Sequence, residues 1–328
     1  MSSTVRWGIL STAHINRAFL GGAALCADCR VHAVSSREWT RANEYAKEHG
    51  IPRAFGSYEE LLRSGEVDAI YNPLPNSMHC EWTIRALEAG LHVLCEKPFA
   101  VTADEARQMA EASKRTGKLL AEAFMYRYHP IYDRILETIK AGGIGQIVAI
   151  RVTQNFLMRD WATNIRASGE LAGGATMDVG CYCINFCRRI LGEEPARAFA
   201  FERRGNVDNT LSGSLEFPGG AIAQFQVSME TNGYARAEIM GTAGLILMDQ
   251  PFFPGYNDTQ FTLRRGTEDE VVTVPGANCY AMEIQDFAEA MRSNRPTRWP
   301  VDDAIKNMAV IDACYQAAKE GRAVAVER

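Results

Sequence analysis

Leu91-His92-Val93-Leu94-Cys95-Glu96-Lys97-Pro98 is the stretch on which the fold is read. Leu91 to Cys95 form a short, largely apolar run, which suits a buried strand of a parallel sheet. A lysine and a proline follow it. Proline fixes its own φ and pushes the residue before it out of helical geometry. Lys97 is therefore expected extended at a strand edge rather than inside the next helix. Ligands of open α/β sheets sit beyond the carboxyl ends of the strands, which is where a catalytic ammonium would be placed. Lys97 is the first candidate catalytic residue; the competing reading is a solvated lysine at a strand end.

The flanking sequence repeats the pattern. Candidate strands at Val5 to Leu10, Val31 to Ser35, Ala69 to Asn72, Leu91 to Cys95 and Leu119 to Ala123 alternate with helical patterns at about 14 to 25, 39 to 48, 77 to 89 and 102 to 116. This rhythm predicts βαβ units and a doubly wound parallel sheet, a Rossmann-type α/β domain over 1–123. Ser77 is placed to cap a helix that stops at Gly90, and Thr102 with Glu105 reads as a capping box. After Pro130 a helix to about Lys140 gives way to strand-like segments: 147–152, 198–203, 210–217, 221–229, 237–240, 245–248, 260–264 and 271–274. Pro218-Gly219-Gly220 and Gly241-Thr242-Ala243-Gly244 read as hairpin turns. The expectation for 124–328 is an α+β domain with a large, mostly antiparallel sheet, one face covered by helices, and a last helix that begins near Asp302 or Asp303 and ends before Gly321.

Composition narrows the function. The chain has 328 residues, 47% hydrophobic and 23% charged, with a net charge of -5. It can bury a large core in about two domains, and it lacks the basic stripe that phosphate backbones need. No nucleic-acid partner is expected. Nine cysteines without framework spacing suit reduced thiols, and the apolar run at Trp7 to Leu10 is too short for a signal peptide. With no membrane-length segment, the expected setting is the cytoplasm. Cys181, Cys183 and Cys187 lack a fourth ligand at suitable spacing, so no metal is expected.

The first strand runs into Ser11-Thr12-Ala13-His14-Ile15-Asn16, where a dinucleotide fingerprint would read G-x-G-x-x-G. All three glycines are replaced. Small residues still let the backbone approach a pyrophosphate, and a helix N-terminus still offers free N–H groups; Ser11, Thr12, Ala13, His14 and Ile15 are therefore taken as cofactor-binding. At the end of the second strand stand Ser36, Arg37 and, one turn on, Arg41. Cationic and hydroxyl donors there suit the 2′-phosphate of NADP better than the 2′-hydroxyl of NAD. Glu38 argues the other way. Pro73, Asn76, His79, Glu96 and Lys97 complete the expected cofactor side, and Arg127 and Tyr128, at the domain junction, the substrate side.

Asn72-Pro73-Leu74-Pro75-Asn76-Ser77-Met78-His79, Glu96-Lys97-Pro98 and Gly173-Gly174-Ala175-Thr176-Met177-Asp178-Val179-Gly180-Cys181-Tyr182 stand in an order that resembles the glucose-fructose oxidoreductase, inositol dehydrogenase and MocA family over essentially the whole chain. Ser11-Thr12-Ala13, Phe124 to Pro130 and Asp178 to Tyr182 most resemble its dihydrodiol dehydrogenase and D-xylose dehydrogenase branch. The resemblance implies hydride transfer between a nicotinamide and a sugar or polyol carbon. Where the inositol branch has histidine four residues after the aspartate, this chain has Tyr182, a natural acid/base replacement.

The chemistry sets a requirement for that tyrosine. Removing hydride from a carbinol leaves a proton on oxygen, which a base within hydrogen-bond reach must take. A phenol with an ordinary pKa of about 10 must fall by roughly 2 to 3 units, about 3 to 4 kcal/mol. One ammonium about 4 Å away at an effective dielectric near 20 supplies about 4 kcal/mol, so Lys97 suffices. Asp178 has the opposite sign and is assigned to substrate hydroxyls or to orienting Lys97; Tyr182 and Asp178 are also counted as substrate-binding. The expected activity is an NADP-dependent aldose 1-dehydrogenase acting on a sugar such as D-xylose or D-glucose, or on a related diol or keto-sugar. Other readings stay open: a keto-sugar reductase, including nucleotide-linked sugars, an NAD-dependent glycosidase of the same fold, and a non-catalytic nucleotide-binding regulator. Homodimers or homotetramers through the C-terminal sheet are the expected assembly.

Overall fold

The computed structural model describes residues 4–327. It begins with β1 (Val5–Leu10), α1 (Asn16–Ala23), β2 (Cys29–Ser35), α2 (Trp39–His49), β3 (Arg53–Phe55), α3 (Tyr58–Arg63), β4 (Ala69–Asn72), α4 (His79–Glu88), β5 (His92–Glu96), α5 (Ala103–Thr116) and β6 (Leu120–Ala123). The six strands are all parallel, in the order β3-β2-β1-β4-β5-β6. This is the doubly wound order of dinucleotide-binding sheets, whose switch point lies between β1 and β4. The parallel sheet expected from the alternating pattern is present. Two short elements, β3 and α3, were not expected; Ser57 starts α3 by accepting a hydrogen bond from the Glu60 N–H at 3.1 Å.

Helix starts explain the boundaries. The Thr102 hydroxyl accepts from the Glu105 N–H at 3.2 Å, and the Glu105 carboxylate reaches back to the Val101 N–H at 2.9 Å. The expected cap at Ser77 is not formed. Residues Asn76–Met78 make a single 3-10 turn and α4 begins at His79, because the chain must first turn out of the Pro73–Pro75 loop.

The chain then builds α6 (Pro130–Lys140), β7 (Ile147–Leu157), a π-helical turn (Thr176–Gly180), α7 (Cys181–Leu191), β8 (Arg197–Arg204), β9 (Asp208–Glu216), β10 (Ile222–Ser228), β11 (Glu230–Gly241), β12 (Leu245–Asp249), β13 (Thr259–Arg265) and β14 (Glu268–Val274). With β15 (Val324–Ala325) they form a nine-stranded sheet, ordered β14-β13-β12-β11-β7-β10-β9-β8-β15. Every pairing is antiparallel except β7 with β10. The mostly antiparallel sheet is as expected, and α7 packs on β7 and β10.

Two helices follow β14: α8 (Cys279–Ser293) and α9 (Val301–Glu320). Two compact units result. One contains the residues up to Met125 together with Asn278–Ile305, the other Tyr126–Ala277 with the stretch from Lys306 onward. Helix α8 belongs to the first because Ile284, Phe287 and Ala288 share its buried core with Trp7 and Phe19. Trp7 touches Phe19 edge-on at 5.2 Å and Phe287 at 5.1 Å between ring centroids. Among the described residues no helix is long and apolar enough to cross a membrane.

Candidate active site

In the first unit the site residues gather at the carboxyl ends of β1, β2, β4 and β5. Ser11 follows β1 with φ of 79°, its N–H donating to the Ser35 carbonyl at 2.9 Å. The Asn16 amide donates to the Ser11 carbonyl at 3.0 Å and so holds the turn against the start of α1. The Ser11 hydroxyl is buried and finds no hydrogen-bond partner among the described residues. Helix α1 has no side-chain cap and no acidic residue in its first turn. An orphaned hydroxyl beside an uncapped, positively polarised helix end is a fitting cradle for a dinucleotide pyrophosphate. The Arg41 Nε–H donates to the Thr12 hydroxyl at 2.8 Å, which brings the guanidinium from α2 onto this turn. Arg37 is exposed and Ser36 buried at the end of β2, and no acidic residue occupies the first turn of α2.

Glu96 and Lys97 end β5. The Tyr71 hydroxyl donates to one Glu96 carboxylate oxygen at 2.5 Å, and the Lys97 N–H donates to the other at 3.1 Å. Tyr71 stacks on Phe19 of α1 with centroids 4.0 Å apart and planes 7° from parallel. The nucleotide helix and the lysine-bearing strand end are thus joined through Phe19, Tyr71 and Glu96. The Lys97–Pro98 peptide bond is cis. On the far side, the Glu122 carboxylate of β6 accepts from the Phe99 N–H at 3.1 Å.

His79 fixes the same segment from within. Its ring nitrogens lie 2.8 Å from the Pro98 carbonyl and 2.8 Å from the Leu74 carbonyl, and burial lowers its pKa to about 4. Expected on the cofactor side, His79 is buried and ties the Pro73–Pro75 loop to the Lys97–Pro98 corner. Asn72 assists, its amide donating to Thr83 at 3.1 Å and to the His79 carbonyl at 3.3 Å while its oxygen accepts from the Leu74 N–H at 3.3 Å.

In the second unit the π-helical turn carries Asp178 into α7, which carries Tyr182. π-Helical turns concentrate at functional sites. Two glycines make this one possible. The Gly174 N–H donates to the Arg166 carbonyl at 2.9 Å, and a Cβ on Gly173 would lie 2.3 Å from that oxygen. Gly174 has φ of 121°, and its Cβ would lie 2.0 Å from an Asp208 oxygen. The buried Asp208 carboxylate accepts from the Thr176 N–H at 2.8 Å and from the Tyr315 hydroxyl at 2.9 Å; burial raises its pKa. Asp178 forms an ion pair with Arg166 at 2.6 Å, and it lies inside the π-helical turn rather than at the N-cap position of either helix.

Tyr182 is 4% exposed, its ring between Tyr126, Phe252 and Phe253 at centroid distances of 5.6, 5.3 and 5.7 Å. The Tyr126 hydroxyl donates to Asn185 at 2.6 Å, which fixes that wall. Arg127 and Tyr128, expected on the substrate side, are 2% and 5% exposed. His129 has a structural task, its Nδ1 accepting the Ile131 N–H at 3.1 Å as the cap of α6.

Residues 6–124 match the family model described as an oxidoreductase family with an NAD-binding Rossmann fold, and 132–247 match the GFO/IDH/MocA C-terminal domain. The chain is 36% identical to D-xylose 1-dehydrogenase (NADP(+)) 2 of Haloferax volcanii, over 98% of this chain and 99% of that one. It belongs to the GFO/IDH/MocA oxidoreductase family. Trans-1,2-dihydrobenzene-1,2-diol dehydrogenase of Xenopus laevis is 34% identical over 74% of each chain. The crystal structure of KijD10, a 3-ketoreductase from Actinomadura kijaniata, in complex with NADP and TDP-benzene superposes with a TM-score of 0.92 at 28% identity, covering 96% of this chain and 98% of that one.

This GFO/IDH/MocA member is an NAD(P)-dependent oxidoreductase with a dinucleotide-binding first unit. Several of its site residues escape a sequence reading. Tyr71 and Glu122 act through partners more than twenty residues away, although Glu122, a lone carboxylate in an apolar strand, is a visible signal. Asp208 has no local signal: its role depends on Gly174, 34 residues earlier. Arg166 lies in the long loop after β7, and its pairing with Asp178 has no local signal.

Proposed function

We propose that this oxidoreductase is an NADP-dependent aldose dehydrogenase that oxidises a sugar carbinol, such as the anomeric C1 hydroxyl of D-xylose or D-glucose. The observation that carries this reading is the π-helical turn into α7, which sets a carboxylate, Asp178, one turn before a phenol, Tyr182, whose ring is enclosed by aromatic side chains. A bound nicotinamide supplies the two-electron acceptor. Ser11 to Ile15 and the α1 N-terminus hold its pyrophosphate, Pro73 and Asn76 border its ribose, and Ser36, Arg37 and Arg41 take the 2′-phosphate. Tyr182 accepts the hydroxyl proton, Lys97 supplies the ammonium charge that lowering a phenol's proton affinity requires, and Asp178 accepts from a neighbouring substrate hydroxyl.

NADP is favoured because the Arg41 guanidinium already sits on the turn after β1 and Arg37 stands exposed at the end of β2, against the single opposing carboxylate of Glu38 at the N-cap of α2. The Haloferax relative, named for NADP, supports the same choice. The test is reduced-nicotinamide formation with NADP and NAD across aldoses, inositols and diols. An aldose should give the highest rate. Arg37→Ala with Arg41→Ala should raise KM for NADP by about 10- to 100-fold, the effect of losing charge-assisted hydrogen bonds, with little change for NAD. Tyr182→Phe should lose about 10²- to 10⁴-fold in turnover, and near-wild-type turnover in that variant overturns the base assignment. A second reading, reduction of keto-sugars, has the 3-ketoreductase superposition in its favour; it replaces the first if keto-sugars are reduced and no aldose is oxidised.

A further inference from the structure

We propose that Arg166 is a positioning residue for Tyr182: its guanidinium holds Asp178 and cancels the charge that this carboxylate would otherwise place beside the phenol. The inference rests on the reading of Tyr182 as the general base.

Arg166 is held at both ends. Its N–H donates to the capping Asn164 side chain at 3.0 Å, and its carbonyl accepts from the Gly174 N–H at 2.9 Å. Its Nε–H donates to Asp178 at 2.6 Å. The side chain of this arginine is 43% exposed, and that of Asp178 is 14% exposed. A surface arginine ordinarily moves among rotamers at little cost. Here the backbone is fastened at the foot of the π-helical turn and the head group at its acidic residue, an arrangement that depends on Gly173 and Gly174 lacking side chains.

The electrostatic consequence follows from helix geometry. Residues four apart lie on one helical face, so Asp178 and Tyr182 are neighbours across the π-to-α junction. The Asp178 charge opposes ionisation of Tyr182, and so does enclosure of its ring by Tyr126, Phe252 and Phe253. Arg166 opposes both effects. Its own pKa is raised, first by Asp178 and further by Tyr182 and Asp160, and such coupling is reciprocal: a tyrosinate that stabilises the guanidinium is stabilised by it. The charged and titratable groups that face the phenol in this unit include Asp178, Arg166 and the Tyr126 phenol, with Asp160 acting through Arg166; the proposed mechanism adds Lys97. Arg166 and Asp178 together present the base with a neutral pair.

The pH profile of kcat/KM for sugar oxidation by the full-length enzyme tests this. Activity requiring a tyrosinate rises with pH through the pKa of Tyr182. Arg166→Met should move that rising limb upward by about one pH unit, about tenfold in rate at a fixed pH below it, with NADP affinity unchanged. Arg166→Lys, which keeps the charge, should leave the limb near its wild-type position. Asp178→Asn in the Arg166→Met background should return it toward wild type, whatever the absolute rate. Lower rates in Arg166→Met with an unmoved limb mean that the arginine only braces the loop, and overturn the proposal. Should Arg166→Met not fold, Arg166→Gln carries the same charge test. A wild-type limb that survives Tyr182→Phe overturns the base reading instead, so the two failures are distinguishable.

Discussion

His79 is a buried residue that fastens the corner carrying Lys97, the proposed ammonium. Its imidazole bridges the Leu74 and Pro98 carbonyls, and the Lys97 charge adds to the burial that keeps the ring neutral. A neutral ring has one N–H, so it donates to one of the two carbonyls and meets the other with a lone pair. Folding therefore lowers this pKa from the usual 6.5 to about 4. Between those values the unfolded chain binds more protons than the folded one. The stability that depends on neutral His79 is complete above about pH 6.5 and is lost as pH falls toward 4, amounting to about 3 kcal/mol at the limit. His92, lowered to about 4 by burial and by Lys118, adds a second loss over the same window. Thermal or urea unfolding between pH 7.5 and 4.5 should show stability falling with acid, and His79→Gln should make that slope shallower, leaving the His92 share. An unchanged slope in His79→Gln would assign the acid sensitivity elsewhere.

Elements differ in how much of their origin is local. β5 and the corner after it are legible because an apolar run, a lysine and a proline are adjacent in sequence. The capping box of α5 is equally local. β3 has three residues and α3 six, too few for any periodicity to emerge. Helix α8 is different: Ile284, Phe287, Ala288 and Met291 recur at helical spacing, a signal present in the sequence but overshadowed by the strand-rich segments before it. The π-helical turn has no local code at all. Its form depends on Gly173 and Gly174 meeting Arg166 and Asp208, so the family motif is legible as letters while its geometry is tertiary. Gly174→Ala should accordingly be costly. The added methyl would occupy the place of the Asp208 oxygen, and φ of 121° is strained for any residue with a side chain. Displacing Asp208 also frees the Thr176 N–H and the Tyr315 hydroxyl inside the protein. A loss of about 2 to 4 kcal/mol in urea unfolding is expected, with turnover reduced and NADP binding retained by the first unit. Wild-type stability in this variant would show that the turn adapts.

At the scale of the molecule, the two sheets place their open surfaces differently. The parallel sheet has both faces covered by helices, as its continuous apolar strands require. The antiparallel sheet packs α7 on one face and leaves part of the other bare around β7 to β10. Phe201 is 68% exposed and Ile222 50%, and Phe199 meets Phe201 edge-on at 4.8 Å. Ser212, Ser214, Gln224, Gln226, Arg151 and Thr153 complete a shallow depression of about 410 Å³ with the two phenylalanines. We propose that a second copy of the chain covers this face. Strand edges are poor alternatives: β14 bears Glu268, Asp269 and Glu270, and β15 is only two residues long, both features that discourage edge pairing. A two-fold face-to-face contact places Phe201 of both copies in one interface, so one substitution acts doubly. Light scattering at micromolar concentration should give the mass of a dimer or tetramer. Phe201→Glu, which adds two buried charges per interface, should give the monomer mass while the first unit still binds NADP. A wild-type monomer, or a Phe201→Glu variant that stays associated, would rule out this face as the interface.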